Sequence, residues 1–333
     1  MSKLYPLFFE PVLKHYLWGG RNLEKFGREL PNNKPVSESW EIAGHKDGMT
    51  VVRNGIYTGK TLDQMLNILG VDLIGHNNQW ALDRGKFPLL VKLLDADRRL
   101  SVQVHPDDDY AQKHEGNELG KAEMWVVLWT KPGAEVIIGF SEEVNPAAFE
   151  QAIKTGTIEN HLHHIPIKAG DHICVPPGTL HAILEGSVIA EIQQNSNTTY
   201  RVYDWNRTDT NGRSRQLHIN EAIDVIDFQI VNAKLPEPCI LSNSRLTKHE
   251  RLCQNKYFTT ERITLDQGGE FSGECDGSSL EIWGVISGKA FIAGEQAEGV
   301  QFYLLPAGMG TYSIKADPKC VLLRTYTRPN DRI

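Results

Sequence analysis

Cysteine is scarce in this chain. There are five in 333 residues, Cys174, Cys239, Cys253, Cys275 and Cys320. The number is odd, the spacings are wide and no C-x-x-C occurs. Neither a disulfide framework nor a thiolate zinc site is expected, and the chain reads as reduced and cytoplasmic. Long apolar runs are also missing: none approaches the ~20 residues of a membrane helix. Residues 1–16 scatter charges through the N-terminus without a clean apolar stretch, so no signal peptide is expected there. Basic charge is not in excess. Lys and Arg total 35 against 42 Asp and Glu, a net charge of −7. That balance argues against a nucleic-acid binder, which needs a basic face. It leaves room for an anionic small substrate, which needs only a few local cations. Low-complexity segments are absent, and 40% hydrophobic with 23% charged residues is the composition of an ordinary globular chain. The length suits two domains.

Short β-branched and aromatic runs lie between distributed Pro and Gly. Segments 87–94 (FPLLVKLL), 101–105, 124–129, 136–140, 173–175, 181–184 and 188–193 read as strands. Such spacing predicts antiparallel sandwiches or barrels. Helical signals are few. Segment 61–69 follows a capping Thr. Segment 145–155 has Asn at the cap and Pro at the first helical position, and 220–227 gives a third helix. Segment 107–119 is polar and reads as a loop or lid. Composition shifts at Val231-Asn-Ala-Lys-Leu-Pro-Glu-Pro238, a linker. Strand-like runs then resume at 258–265, 280–286, 290–293, 300–305 and 320–326. Across the linker, Val175-Pro-Pro-Gly-Thr-Leu-His181 matches Leu305-Pro-Ala-Gly-Met-Gly-Thr311, with Thr where the first copy has His. Two related barrels follow, over 1–235 and 236–333.

The chemistry gathers in the first copy. Gly170, five residues, P-x-G, two residues and His181 resemble the second motif of the cupin superfamily, although Glu185 stands where many cupins carry Asn. The turn reverses the chain, and the next strand points His181 inward. Gln103 and His105 lie two apart on a strand and so share a face. Glu123 opens the following strand. Two imidazoles, a carboxylate and an amide oxygen suit one divalent, zinc-like ion with a position left open. His161, His163 and His164 form a rival cluster with no motif around it, read as a surface loop.

Taken together, Trp18-Gly-Gly20, Ser37-Glu-Ser-Trp-Glu41, Lys92, Leu100-Ser-Val-Gln-Val-His-Pro106, Gly120-Lys-Ala-Glu-Met-Trp125, Pro177-Gly-Thr-Leu-His-Ala182, 191–201 and Arg207 resemble type I mannose-6-phosphate isomerases of the short bacterial form. The resemblance implies a mainly β fold of two cupin-type jelly-roll barrels with a few inserted helices. It implies a metal-binding first barrel, a metal-free second one, and isomerisation of mannose 6-phosphate and fructose 6-phosphate through an enediol. It places one zinc ion per chain on Gln103, His105, Glu123 and His181, and sets Lys92, Ser101, Arg201 and Arg207 around the sugar phosphate, with Arg201 also catalytic. Lys92 stands out because it sits inside LLVKLL, where an unpaired lysine would be costly. Lys121, two residues from Glu123, and Glu191, two from Gln193, are both candidates for proton transfer, with His45 and Glu41 behind them. Another metallo-cupin activity, such as an oxygenase or epimerase, and a non-catalytic sugar-binding regulator are the competing classes. The expected partner is a sugar phosphate, with no nucleic acid or membrane, for a monomer or homodimer.

Overall fold

A computed structural model describes residues 4–208 and 211–328. The architecture is mainly β, and every strand pair named below is antiparallel. One sheet of six strands runs in the order His172–Val175, Glu123–Thr130, Ser187–Gln194, Leu89–Ala96, Glu38–Ile42, Val12–Lys14. It faces a five-stranded sheet ordered Leu162–Pro166, Glu135–Phe140, His181–Ile183, Val102–Val104, Tyr200–Tyr203. A ten-stranded sheet holds the C-terminal strands and also takes in Leu7–Glu10, which pairs with Gln301–Leu305. The largest apolar cluster joins both halves of the chain, packing Met124, Val126 and Ala190 with Leu252, Phe258, Leu280 and Phe302. Among the described residues no helix is long and apolar enough to cross a membrane.

The helices start where their caps lie. Thr61 and Gln64 form a reciprocal capping box over Leu62–Leu69. The Asn145 side chain accepts from the Ala148 N–H at 2.9 Å, with Pro146 next in line. Ile219–Val225 is the third expected helix. Segment 107–119, read as a loop or lid, contains a helix, Asp108–His114. The Asp107 side chain caps it, Asp108 and Asp109 occupy its first turn, and Lys113 and His114 its last. That order complements the helix dipole. Only Asp108 and Ala111 are buried on it, so it lacks the apolar stripe that marks a helix in sequence.

Two further expectations are corrected. Cys174 and Cys253 form a disulfide, Cα–Cα 5.8 Å, tying His172–Val175 to Thr247–Gln254; the partners lie 79 residues apart, and only tertiary packing brings them together. The segment with His161, His163 and His164 is largely a strand, Leu162–Pro166, not a loop. Its histidines diverge to Glu142, the Ala233 carbonyl and Glu135 respectively.

The internal repeat proves to be a repeat of register. In the first barrel Glu191 lies opposite Lys92 on one side and Trp125 on the other. In the second, Arg324 lies opposite Glu261 and Trp283 in the same way. Glu123 pairs with Val175, just before the first P-x-G turn, and Glu281 pairs with Leu305, just before the second. Gly178 in the first turn has φ +85°, and a Cβ there would meet the Val225 carbonyl oxygen at 2.9 Å. Its N–H donates to the His105 carbonyl at 2.9 Å, so the turn ties the two histidine strands together.

Candidate active site

His105, Glu123 and His181 are each about 1% exposed, and one ligand atom from each falls within 4.8 Å of the others. The histidines are set from behind. His105 Nδ1 meets the Thr198 carbonyl at 2.9 Å and His181 Nδ1 the Thr179 carbonyl at 2.8 Å. Donation from Nδ1 leaves Nε2 as the lone-pair nitrogen on both rings. The two Nε2 atoms face Glu123, at 3.3 Å from Oε1 for His105 and 3.7 Å from Oε2 for His181. Burial, reinforced by Lys121, pushes His105 down to about 3, and burial lowers His181 as well. Burial would raise Glu123, but Lys121 and His105 outweigh it and hold the carboxyl well below its usual range. Two neutral imidazoles and a carboxylate are the protonation states a metal requires. Glu123 Oε2 is buried with no hydrogen-bond partner, an orphan that a cation would satisfy. Gln103 completes the ring: its side-chain amide lies 3.4 Å from His181 Nε2, and either end of an amide can occupy that position.

A cavity of about 300 Å³ opens beside this cluster, lined by Lys92, Ser101, Gln103, Lys121, Glu191 and Arg201 among others. Lys121 Nζ lies 2.9 Å from His105 Nε2 and also donates to Glu123. Glu191 accepts from Lys92 at 3.2 Å and from Trp125 Nε1 at 3.1 Å. Burial and the nearby Glu123 raise its pKa, although Lys92 opposes this. Lys92, 3% exposed, sits between Glu191 and Glu38, whose carboxylate is 3.7 Å away. Burial would lower the ammonium's pKa, but Glu38 and Glu191 raise it above the ordinary lysine value. Its charge is therefore already matched. Arg201 is half-buried at the mouth; burial and then Arg215 lower its pKa. Arg207 does not line this cavity. Its guanidinium donates to Asp204 and, at 2.6 Å, to the Arg99 carbonyl. His45, a reserve candidate, is buried outside the cavity, 3.5 Å from Glu118. Glu41, the other, is taken up by Arg28 and Ser39.

Sequence reasoning missed Glu38, Tyr16, Thr199 and Arg215, which line the same cavity. Glu38 had a signal. Glu38-Ser-Trp40 and Glu281-Ile-Trp283 share one spacing, and in both the indole N–H donates back to the carboxylate two residues earlier. Glu123-Met-Trp125 has the same spacing, but its indole reaches to Glu191 instead, because Glu123 is turned to the histidines.

With the geometry in place, comparison with known proteins is direct. A family model described as phosphomannose isomerase type I, catalytic domain, matches residues 7–135. Mannose-6-phosphate isomerase ManA of Bacillus subtilis is 35% identical over 324 residues, 95% of this chain and 98% of the relative. A mannose-6-phosphate isomerase of Streptococcus mutans is 46% identical over 222 residues, 66% of this chain and 67% of the relative. The crystal structure of the mannose 6-phosphate isomerase from Bacillus subtilis matches with a TM-score of 0.85 at 34% identity, covering 96% of this chain and 99% of that one. A phosphomannose isomerase variant from Salmonella typhimurium, at 15% identity and a TM-score of 0.74, shares the fold. Near-complete coverage at this identity, with a matching fold, settles membership: the chain belongs to the type I phosphomannose isomerases.

Proposed function

We propose that this chain interconverts mannose 6-phosphate and fructose 6-phosphate by proton transfer through an enediol, with one zinc ion per chain held by His105, His181, Glu123 and the Gln103 amide. The observation that carries the reading is the buried His–Glu–His cluster opening onto a cavity that also holds Lys121, Glu191 and Arg201. Two neutral imidazoles, a carboxylate and an amide oxygen suit zinc. When bound, the ion supplies Lewis-acid polarisation of sugar oxygens.

The chain's own residues move the protons. Glu191 takes the proton from C2 of the aldose, and the C2–H electrons form the C1–C2 double bond. The former carbonyl oxygen O1 receives a proton from the Lys121 ammonium. Lys121 then removes the O2 proton as C2 becomes the carbonyl, and Glu191 returns its proton to C1. Both side chains end as they began. Burial and the nearby Glu123 raise the Glu191 carboxyl, which makes it a stronger base than an exposed carboxylate. Lys121, already a donor to Glu123, suits the oxygen side. Ser101 and Arg201 bind the anionic end of the sugar phosphate, and Lys92, its charge matched by Glu38 and Glu191, donates to the sugar. The C-terminal barrel, built from strands between Cys239 and Thr327 together with Leu7–Glu10, is metal-free, a reading supported by the bonds that Arg324 makes to Glu281 through Nε, at 2.9 Å, and Nη2. A monomer or homodimer completes the proposal; the cytoplasmic reading rests on the absence of a signal-peptide pattern in the sequence, since the cysteine argument for it falls with the Cys174–Cys253 bond.

A coupled assay of the metal-loaded protein should show turnover of mannose 6-phosphate. Glu191→Gln should lower kcat by about 10²–10⁴-fold with metal content intact. No turnover by the loaded wild type would overturn the reading, and near-normal kcat in the variant would remove Glu191 from the base role.

A further inference from the structure

The mouth of the cavity carries more cationic charge than one phosphate-binding arginine explains. Arg201 and Arg215 both line it. Arg201 Nη1 donates to the Gln216 carbonyl at 3.0 Å, which ties it to the segment bearing Arg215, and its Nε is buried with no hydrogen-bond partner. Arg215 grips Asp204 through Nε, at 2.8 Å, and Nη2. Asp204 is 5% exposed and also takes Arg207. Two guanidiniums thus share the Asp204 carboxylate, and Arg201 beside them pairs with no acid among the described residues, so the three positive charges exceed their one carboxylate by two. A phosphate monoester carries about −1.5 to −2 near neutrality. Deeper in the cavity Lys92 is already shared by two carboxylates and Lys121 is bonded to Glu123. The unmatched guanidiniums at the mouth are therefore the cations free to take an anionic end.

We propose that Arg215 is the second arm of the phosphate clamp, acting with Arg201 on the phosphate of the substrate, and that Arg207 is a positioning residue that fixes Arg215 through Asp204. The proposal rests on the sugar-phosphate reading above. Each of the three Arg207 nitrogens already donates once, to Asp204 or the Arg99 carbonyl, and the side chain does not line the cavity, so it braces the carboxylate from outside. Arg215 uses only one edge of its fork on Asp204 and still reaches the cavity, as a planar guanidinium can when it serves two oxyanions. Asp204 in turn holds that fork in one orientation before substrate arrives, which lowers the ordering cost of binding.

The test uses the metal-loaded full chain, with two readouts: KM for mannose 6-phosphate and the inhibition constant of inorganic phosphate. Arg215→Met should raise both by about 10- to 100-fold, the worth of one charge-assisted contact, while kcat falls less than about threefold because the reacting carbons lie elsewhere. Arg207→Met should raise the same constants by a smaller factor. The double variant should be no worse than Arg215→Met alone, since a brace has nothing left to position; a merely structural role would add. Arg215→Gln serves if the Met variant does not fold. A phosphate inhibition constant within twofold of wild type in whichever variant folds overturns the clamp. If wild type fails to turn over mannose 6-phosphate, the isomerase reading falls, and calorimetry of inorganic phosphate with wild type and Arg215→Met then decides the clamp by the same expected ratio.

Discussion

Replacing Lys92 with Met should cost the fold a pH-dependent amount of stability. Lys92 is 3% exposed, with its ammonium 3.2 Å from Glu191 and 3.7 Å from Glu38. Met fills the same space and removes the charge, so two carboxylates are left facing each other in a buried site. Breaking a buried pair from one side costs about 3–5 kcal/mol. Protonation limits the loss, since binding one proton to a carboxyl at pH 7 costs about 3.5 kcal/mol relative to its ordinary pKa. Glu191, already raised by burial and by Glu123, is the carboxyl that takes the proton.

The sign follows directly. The folded variant then holds one more proton than its unfolded chain, so its stability rises as pH falls, by about 1.4 kcal/mol per pH unit, until the unfolded carboxyls protonate near about pH 4.5. Urea denaturation of wild type and variant at about pH 5.5 and about pH 7.5 should give a deficit roughly 2–3 kcal/mol larger at the higher pH. The double variant Lys92→Met/Glu191→Gln should recover much of the loss, because no unpaired charge remains. A deficit below about 1 kcal/mol, or one that does not vary with pH, would refute the account of Lys92 as the buried cation between two ionised carboxylates.

His181→Ala should reduce bound metal from about one per chain to near zero by elemental analysis; full retention would remove His181 from the ligand set. Glu118 is held down to about 2, first by its hydrogen bond to His45 and then, against burial, by Lys46 and Lys86; a carboxyl depressed on folding stabilises above its unfolded pKa and loses that contribution as pH falls toward the folded value. Wild type should therefore exceed Glu118→Gln by at most roughly 3 kcal/mol near neutrality, with the gap closing between about pH 4.5 and about pH 2, and a gap constant across that window would contradict it. Arg324→Met should lower stability by about 3 kcal/mol in denaturant while the metal content of the first barrel stays the same; loss of metal in that variant would mean that the two barrels are not independent in this respect.

The metal cluster was legible because its geometry is local. Gln103 and His105 share a face by strand alternation, and the P-x-G turn at Pro176–Gly178 fixes where His181 points. The capped helices were legible for the same reason. The rest depends on contacts that no short window contains. Arg215 has no motif around it and enters the cavity only because Asp204, 11 residues earlier, holds its fork there. The Cys174–Cys253 bond needs two strands from different barrels to meet. Segments 280–286 and 290–293 read as two strands and are one, Glu281–Ile292, because register shifts carry the pairing past Ser287 and Gly288 without ending it. Helix Asp108–His114 is fixed by its cap and by Asp108, which accepts from the Gly120 N–H at 2.8 Å and from Gln194 at 2.9 Å. Those partners are invisible to periodicity.

The two barrels differ by a reversal of charge at matched positions. Each barrel sets a cation among carboxylates at this register beside a tryptophan, and the first also buries Lys121, which donates to one oxygen of Glu123. In the first, the cation is Lys92 and its register partner is Glu191. In the second, the acid is Glu261 and its register partner is the cation, Arg324. Moving the positive charge one strand toward the centre brings it onto Glu281, the counterpart of Glu123. Arg324 Nε and Nη2 take both oxygens of Glu281, and Tyr312 adds a third donor. A carboxylate so engaged has little left to offer an ion, and freeing it would leave a partly buried guanidinium short of a partner. In the first barrel the buried Lys92 lies one strand farther out and spends itself on Glu38 and Glu191. Glu123 keeps an oxygen with no partner, turned toward two imidazoles whose other nitrogens are already committed to backbone carbonyls. Lys121 takes one oxygen of Glu123 and leaves the other open, whereas Arg324 takes both oxygens of Glu281, and that difference separates the carboxylate able to hold a metal from the one that is not.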